Sequence, residues 1–129
     1  MIRTSILAGI LLVFGTFVYA QNGGKAAPKR IIFEPGTPES LLTGSLKNGE
    51  EMEYVFAGIK GRKVVLRNSA ASMFDVRVFS EDFGLETEFD SSREFSVTLP
   101  ETGDYMLFVR KKMVRSPSRS RFSVAIRIR

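Results

Sequence analysis

Several short segments of this chain alternate apolar and polar positions, so that at least every second side chain is apolar. The clearest are residues 52–56, 74–78, 95–99, 105–109 and 122–128. Side chains at a spacing of two lie on the same face of a β-strand, so the pattern predicts strands with one buried face. Turn residues such as Asn48 and Gly49 separate the segments at intervals of roughly ten residues.

Shorter apolar segments complete a series of roughly seven to nine expected strands. They lie at residues 31–33, 41–46, 64–66 and 85–89. No stretch after residue 20 sustains the 3.6-residue period of a helix, and β-branched and aromatic residues dominate the alternating segments. The pattern therefore predicts an all-β protein, an antiparallel, jelly-roll-like β-sandwich in a single domain.

One parity of each strand supplies the expected hydrophobic core. The residues predicted in this way are Met52, Tyr54, Phe56, Val64, Leu66, Phe74, Val76, Val78, Phe95, Val97, Leu99, Tyr105, Leu107, Val109, Phe122, Val124, Ile126 and Ile128. Each fully buried side chain of this kind contributes about 1.5–3 kcal/mol to the free energy of folding. A charge at Val97 or Leu107 is therefore expected to unfold the domain.

The last two alternating segments flank a basic connection at residues 110–121. The simplest interpretation is a β-hairpin with a cationic loop at its tip. The chain has 19 basic and 14 acidic residues, and eight of the basic ones lie after residue 104, where there is no acid. This asymmetry predicts an acidic binding partner.

The N-terminal residues have the composition of a secretory signal peptide. Arg3 gives a positive start, residues 6–18 are almost wholly apolar, and small residues occupy the cleavage positions. The apolar segment is short for crossing ~30 Å of hydrocarbon, which argues against an uncleaved membrane anchor. We expect a signal peptide at 1–20, a flexible leader at 21–30 and the β-sandwich at 31–129. The expected location is periplasmic or secreted, with no stable membrane insertion after cleavage.

The composition excludes several kinds of metal site and catalytic site. The chain has no Cys and no His, which excludes thiolate and imidazole metal ligands, a Cys nucleophile and a Ser-His-Asp triad. We expect neither catalysis nor a cofactor. The acidic residues from Glu81 to Asp90 lack the ordered spacing of an EF-hand loop. A solvated strand edge protected by charge is therefore favoured over a Ca²⁺ site.

Two motifs resemble those of a known kind of bacterial domain. Residues 44–50 read G-S-L-K-N-G-E and are followed at 54–58 by Y-V-F-A-G, and residues 99–109 read L-P-E-T-G-D-Y-M-L-F-V. Both are similar to motifs of the bacterial pre-peptidase C-terminal type of domain. Together they extend the resemblance over the chain from about residue 40 to its end. The resemblance implies a jelly-roll-like β-sandwich without catalysis of its own.

A further resemblance concerns the basic connection, where residues 113–121 read M-V-R-S-P-S-R-S-R. Small exported bacterial inhibitors of g-type lysozyme are similar, since each is a single such domain with an arginine-rich insertion between its last two strands. The resemblance implies that Arg115, Arg119 and Arg121 contact the partner. Arg110 and Lys112 belong to the same basic connection and are also expected to bind the partner.

Arginines on a projecting loop suit an acidic enzyme cleft. Lysozymes work with carboxylates in a cleft, and a guanidinium forms bidentate, charge-assisted bonds to a carboxylate. The resulting hypothesis is an exported, non-enzymatic lysozyme inhibitor whose basic hairpin loop occludes the cleft of a muramidase. Two alternatives stay open, an envelope binding module for an anionic glycan or lipid and a structural domain without a ligand. Nucleic acid is not expected, because Tyr105 and Phe122 fall on the core parity rather than on a stacking platform.

Overall fold

The computed structural model describes residues 27–129, so the predicted signal peptide and most of the predicted leader lie outside the described residues. Nine strands form in this part of the chain. They are β1 (Lys29–Arg30), β2 (Glu39–Lys47), β3 (Glu51–Gly58), β4 (Lys63–Asn68), β5 (Phe74–Ser80), β6 (Leu85–Glu86), β7 (Glu94–Thr98), β8 (Gly103–Lys111) and β9 (Arg119–Ile128). No helix within residues 27–129 is long and apolar enough to cross a membrane.

The strands form two sheets that pack face to face. One sheet has the order β1-β3-β8-β5-β6 and the other the order β2-β9-β4-β7. Paired strands are antiparallel, except that β1 runs parallel to β3. The chain changes sheet at each step from β2 to β5 and again at each step from β6 to β9. The structure confirms the predicted all-β, jelly-roll-like sandwich.

The last two strands do not form the predicted hairpin. β8 pairs with β3 and β5, whereas β9 pairs with β2 and β4 in the other sheet. Residues 112–118 therefore connect two sheets, a distance of about 10 Å that this segment spans easily at ~3.3 Å per residue. The prediction was wrong because alternation shows only which side chains face the core. Two strands on opposite sides of one core alternate in the same way.

Inward-facing side chains of both sheets form one hydrophobic core. Most of the predicted core residues are buried, and Phe56, Val76, Leu107 and Val124 have no exposed surface. The predicted core residues that stay partly exposed lie towards strand ends or in the edge strand β7, and they are Met52, Phe95, Val97 and Ile128. The members of this core that the prediction left out are Ile31, Leu42 and Leu46.

The core face of β2 is hard to recognise from the sequence because a glycine interrupts it. Leu42 and Leu46 are buried, and Gly44 between them pairs with Phe122 of β9. A Cβ atom at Gly44 would come within 2.8 Å of the Phe122 ring. The Phe122 ring therefore fills the space that an inward-facing side chain at position 44 would need. Glycine has no side chain and so makes room for the ring.

β1 lies inside the range predicted as a flexible leader. Residues 29–30 pair in parallel with residues 54–55 of β3. Arg30 Nη2 also bonds to Asp104 Oδ2 at 2.5 Å, and this hydrogen bond and the opposite charge raise the pKa of the Arg30 guanidinium. The sheet therefore begins at Lys29 rather than at the predicted boundary, since the edge of β3 offers backbone partners to the preceding segment.

Candidate functional site

In the structure the basic connection comprises only residues 112–118, because the rest of the predicted range belongs to β8 and β9. It is fixed to the turn between β2 and β3. The backbone N–H of Asn48 donates to Ser118 O at 2.8 Å, and its side-chain Nδ2 donates to Val114 O at 2.6 Å. Gly49 has a φ of 81°, which favours glycine, and donates its N–H to Lys111 O at 3.0 Å. One tight turn therefore holds the connection near its start, its middle and its end.

Lys111 is a buried cation at the base of this connection. It has no exposed surface, and Nζ donates to Asn48 Oδ1 at 2.7 Å and to Lys112 O at 3.0 Å. Both acceptors are neutral oxygens rather than carboxylates. An ammonium group without acceptors is unfavourable in a low-dielectric interior, so these contacts are needed for burial. Lys111 and Asn48 therefore fix each other and the backbone between β8 and the connection.

The three arginines named in the resemblance lie in two different settings. Arg115 lies in the connection and is exposed. Arg119 and Arg121 belong to β9, where the intervening Ser120 faces the other way and both arginines point to the outer face of their sheet. Arg119 Nη1 donates to Ser45 Oγ at 3.2 Å. The structure thus presents one arginine on the connection and two on the adjoining sheet, rather than a cluster at a hairpin tip.

Arg110 and Lys112 line an open hollow of about 500 Å³ beside the connection. The Arg110 guanidinium bonds to both carboxylate oxygens of Asp75, at 3.0 and 3.2 Å, and its central carbon lies 3.7 Å from the centroid of the Phe89 ring. The backbone N–H of Lys112 donates to Met73 O at 2.9 Å. Arg110 therefore already has a carboxylate partner within the chain, whereas the side chain of Lys112 is partly exposed.

The acidic segment at residues 81–90 does not assemble into a cation site. Within residues 27–129, no three His, Cys, Asp or Glu side chains come close enough together to hold a metal ion. Glu86 pairs with Arg77, and the Arg77 guanidinium lies 5.2 and 5.5 Å from the ring centroids of Phe79 and Phe89. These contacts cover part of the outer face of the β1-β3-β8-β5-β6 sheet with arginine and aromatic side chains.

The outer face of the other sheet carries further arginines, and the sequence pattern alone indicated only some of them. Arg67 in β4 and Arg127 in β9 lie on this face, with Arg93 and Arg129 at its borders. The arginines of β9 can be recognised by their spacing of two. Arg67 and Arg93 join them only because β4 pairs with both β9 and β7.

Solved structures of lysozyme inhibitors are similar to this sandwich. PliG of Salmonella Typhimurium, a periplasmic inhibitor of g-type lysozyme, is 24% identical with a TM-score of 0.64, over 81% of this chain and 100% of its own. A mutant of the Escherichia coli inhibitor is 26% identical with a TM-score of 0.60, over 80% of this chain and 100% of its own. No protein-family model and no curated protein matches the chain.

The second resemblance in structure is to a pre-peptidase C-terminal domain. That domain, from a collagenase of Bacillus anthracis, is 14% identical with a TM-score of 0.54, over 84% of this chain and 100% of its own. Both kinds of protein named from the sequence motifs are therefore confirmed as structural neighbours. At these identities the likeness establishes the fold.

Proposed function

We propose that this protein is an exported inhibitor of a g-type lysozyme that acts in the periplasm or after secretion, without enzymatic activity of its own. The similarity in fold to periplasmic inhibitors of g-type lysozyme, which extends over 80% of the chain, supports the proposal. The observation that carries it is the exposed Arg115 on a connection that the Asn48-Gly49 turn holds in place.

The proposed mechanism is occlusion of an acidic cleft. A guanidinium is protonated at all physiological pH values and can bond to both oxygens of a carboxylate. Arg115 enters the cleft, pairs with a catalytic carboxylate and excludes the glycan substrate. Because the connection is already fixed by hydrogen bonds to Asn48, little conformational entropy is lost when the complex forms.

The remaining basic residues have different roles in this proposal. Arg119, Arg121 and Lys112 contact the rim of the cleft, where exposed charges mainly accelerate association and orient the partner. Arg110 acts as a positioning residue, because its bonds to Asp75 tie the end of β8 to β5. The contact set therefore has one central arginine and a surrounding basic rim.

The substitution Arg115→Ala tests whether Arg115 is the central contact of the complex. We expect the inhibition constant for a g-type lysozyme, measured from the clearing of a cell-wall suspension, to rise at least about tenfold, because a central arginine is lost. Arg62→Ala is the matched control, since Arg62 is an exposed arginine in the turn between β3 and β4. It should change the constant by less than about twofold, and both variants should keep the wild-type thermal transition.

Two results would contradict the proposal. One is the absence of inhibition of any g-type lysozyme by the wild-type protein. The other is an equal loss of inhibition in Arg115→Ala and Arg62→Ala, which would indicate general charge attraction rather than insertion of one side chain. A c-type lysozyme assayed in parallel shows whether the inhibition is selective.

A further inference from the structure

A basic groove crosses the outer face of the β2-β9-β4-β7 sheet. It consists of two adjoining depressions, of about 320 and about 80 Å³, which share Arg67, Glu94 and Ala125. Arg93 lines the larger depression and Arg127 the smaller one. Since β4 pairs with β7 on one side and β9 on the other, these side chains lie in neighbouring rows across the sheet.

Most cations of this groove have no acidic partner within the described part of the chain. Arg67 approaches Glu39 at 3.6 Å, with both side chains partly exposed. No ion pair joins Arg93, Arg127 or Arg129 to a carboxylate within residues 27–129. Their guanidinium groups can therefore bind an external anion without first breaking an internal ion pair.

The groove also contains the other groups that a sugar chain requires. Ser69 and Ser123 line the larger depression, and the carboxylate of Glu94 accepts hydrogen bonds from hydroxyl groups. Leu41 and Ala125 add an apolar surface against which the C–H face of a sugar ring can pack. The lining residues include no aromatic ring, so nucleic-acid bases find no stacking platform.

We propose that this groove binds an acidic polysaccharide of the polyuronate type. Sugar carboxylates pair with Arg67, Arg93 and Arg127, and sugar hydroxyls bond to the serines and to Glu94. A planar anionic membrane fits less well, because the acids Glu39 and Glu94 line these depressions and a flat layer of headgroups would bring further negative charge against both. The proposal does not rest on lysozyme inhibition, since Arg115 lies outside the groove.

Polygalacturonate serves as the acidic polymer in the test and dextran as the neutral one. We expect the purified protein to bind polygalacturonate but not dextran in a calorimetric titration at about 50 mM salt. The double variant Arg93→Gln, Arg127→Gln should raise the dissociation constant at least about tenfold, because two charge-assisted contacts are lost. In the control Lys29→Gln, Lys60→Gln, the same charge is removed from exposed positions outside the groove. This control should stay within about twofold of the wild type.

Several outcomes would overturn the proposal. An equal loss of affinity in the two double variants would mean that net charge, rather than the groove, attracts the polymer. Binding to dextran, or no binding to polygalacturonate, would remove the basis for an acidic-sugar site. Tighter binding to phosphatidylglycerol vesicles or to single-stranded DNA than to polygalacturonate would assign the face to another ligand.

A second measurement uses the unmodified protein and does not depend on how the variants fold. Phenylglyoxal reacts with accessible arginines, and mass spectrometry gives the extent of reaction at each one. Saturating polygalacturonate should slow the modification of Arg67, Arg93 and Arg127 at least about threefold, while Arg62 keeps its original rate. Equal rates at the groove arginines with and without the polymer would contradict the proposal.

Discussion

Asn48 is the residue on which the geometry of the basic connection depends most. Its side chain bridges the buried Lys111 ammonium and Val114 O. A second asparagine in the sandwich allows a direct comparison, because Asn68 also uses its side-chain amide inside the protein. Asn68 Nδ2 donates to Phe74 O at 3.0 Å, but its bonds do not reach residues 112–118.

The substitution Asn48→Ala should lower the free energy of unfolding by about 2–4 kcal/mol, since it leaves a buried ammonium group and a carbonyl without their partners. It should also speed amide hydrogen exchange within residues 112–118. Asn68→Ala is expected to reduce stability while leaving exchange in that segment at the wild-type rate. Chemical denaturation and hydrogen-exchange mass spectrometry measure the two effects. Equal exchange of residues 112–118 in the two variants would refute this role of Asn48.

Strands with the same alternation differ in the substitutions they tolerate. β8 is paired on both sides, and its residue Leu107 has no exposed surface. β7 is an edge strand that pairs with β4 alone, and its residue Val97 is partly exposed. A charge is therefore expected to destabilise the domain more at Leu107 than at Val97.

Leu107→Asp should abolish the cooperative thermal transition, because an ionised carboxylate at a fully buried, apolar position has no partner. Val97→Asp should retain a transition at a midpoint lowered by several degrees, roughly the effect of 1–2 kcal/mol in a domain of this size. Thr98→Asp, on the exposed side of the same strand, is the control and should leave the midpoint nearly unchanged. Differential scanning calorimetry makes the comparison. A folded Leu107→Asp protein would show that the assigned register of β8 is incorrect.

The two outer faces of the whole molecule differ in how their charges are compensated. On one face, Arg77 and Arg110 pair with Glu86 and Asp75. On the other face, no ion pair joins Arg93, Arg127 or Arg129 to a carboxylate within residues 27–129, although Arg67 lies near Glu39. Arg115 on the connection is also exposed. The molecule therefore has one side with paired charges and one side that attracts anions over a distance.

Salt should therefore affect association and folding differently. Between about 20 and 300 mM NaCl, the association rate constant with a g-type lysozyme should fall roughly tenfold, because screening removes long-range attraction. The free energy of unfolding should change by less than about 1 kcal/mol, since exposed ion pairs contribute little to stability. Stopped-flow binding and chemical denaturation over the same salt series provide the measurements. An association rate independent of salt would indicate that the basic side of the molecule does not guide the encounter.

Local patterns in the sequence are enough to identify most strands of this protein and the side of each strand that is buried. Alternation at Phe74, Val76 and Val78 predicts a strand and its buried side, because both follow from the local geometry of an extended backbone. The Asn48-Gly49 pair marks a tight turn, because glycine readily adopts a positive φ. The absence of acids after residue 104 was also evident. These local signals were sufficient for the class of fold and for an expected acidic partner.

Strand pairing and the exposure of individual cations cannot be predicted from these local patterns. Lys111 and Arg115 belong to one basic segment of the sequence, yet Lys111 is buried against Asn48 and Arg115 faces solvent. Arg67 and Arg93 join the arginines of β9 only after β4 pairs with its two neighbours. Pairing depends on contacts between residues far apart in the chain, and alternation is identical for a hairpin and for two strands that face each other across a core. Side-chain parity is a local property of the backbone, whereas strand order depends on how both sheets bury their apolar faces together.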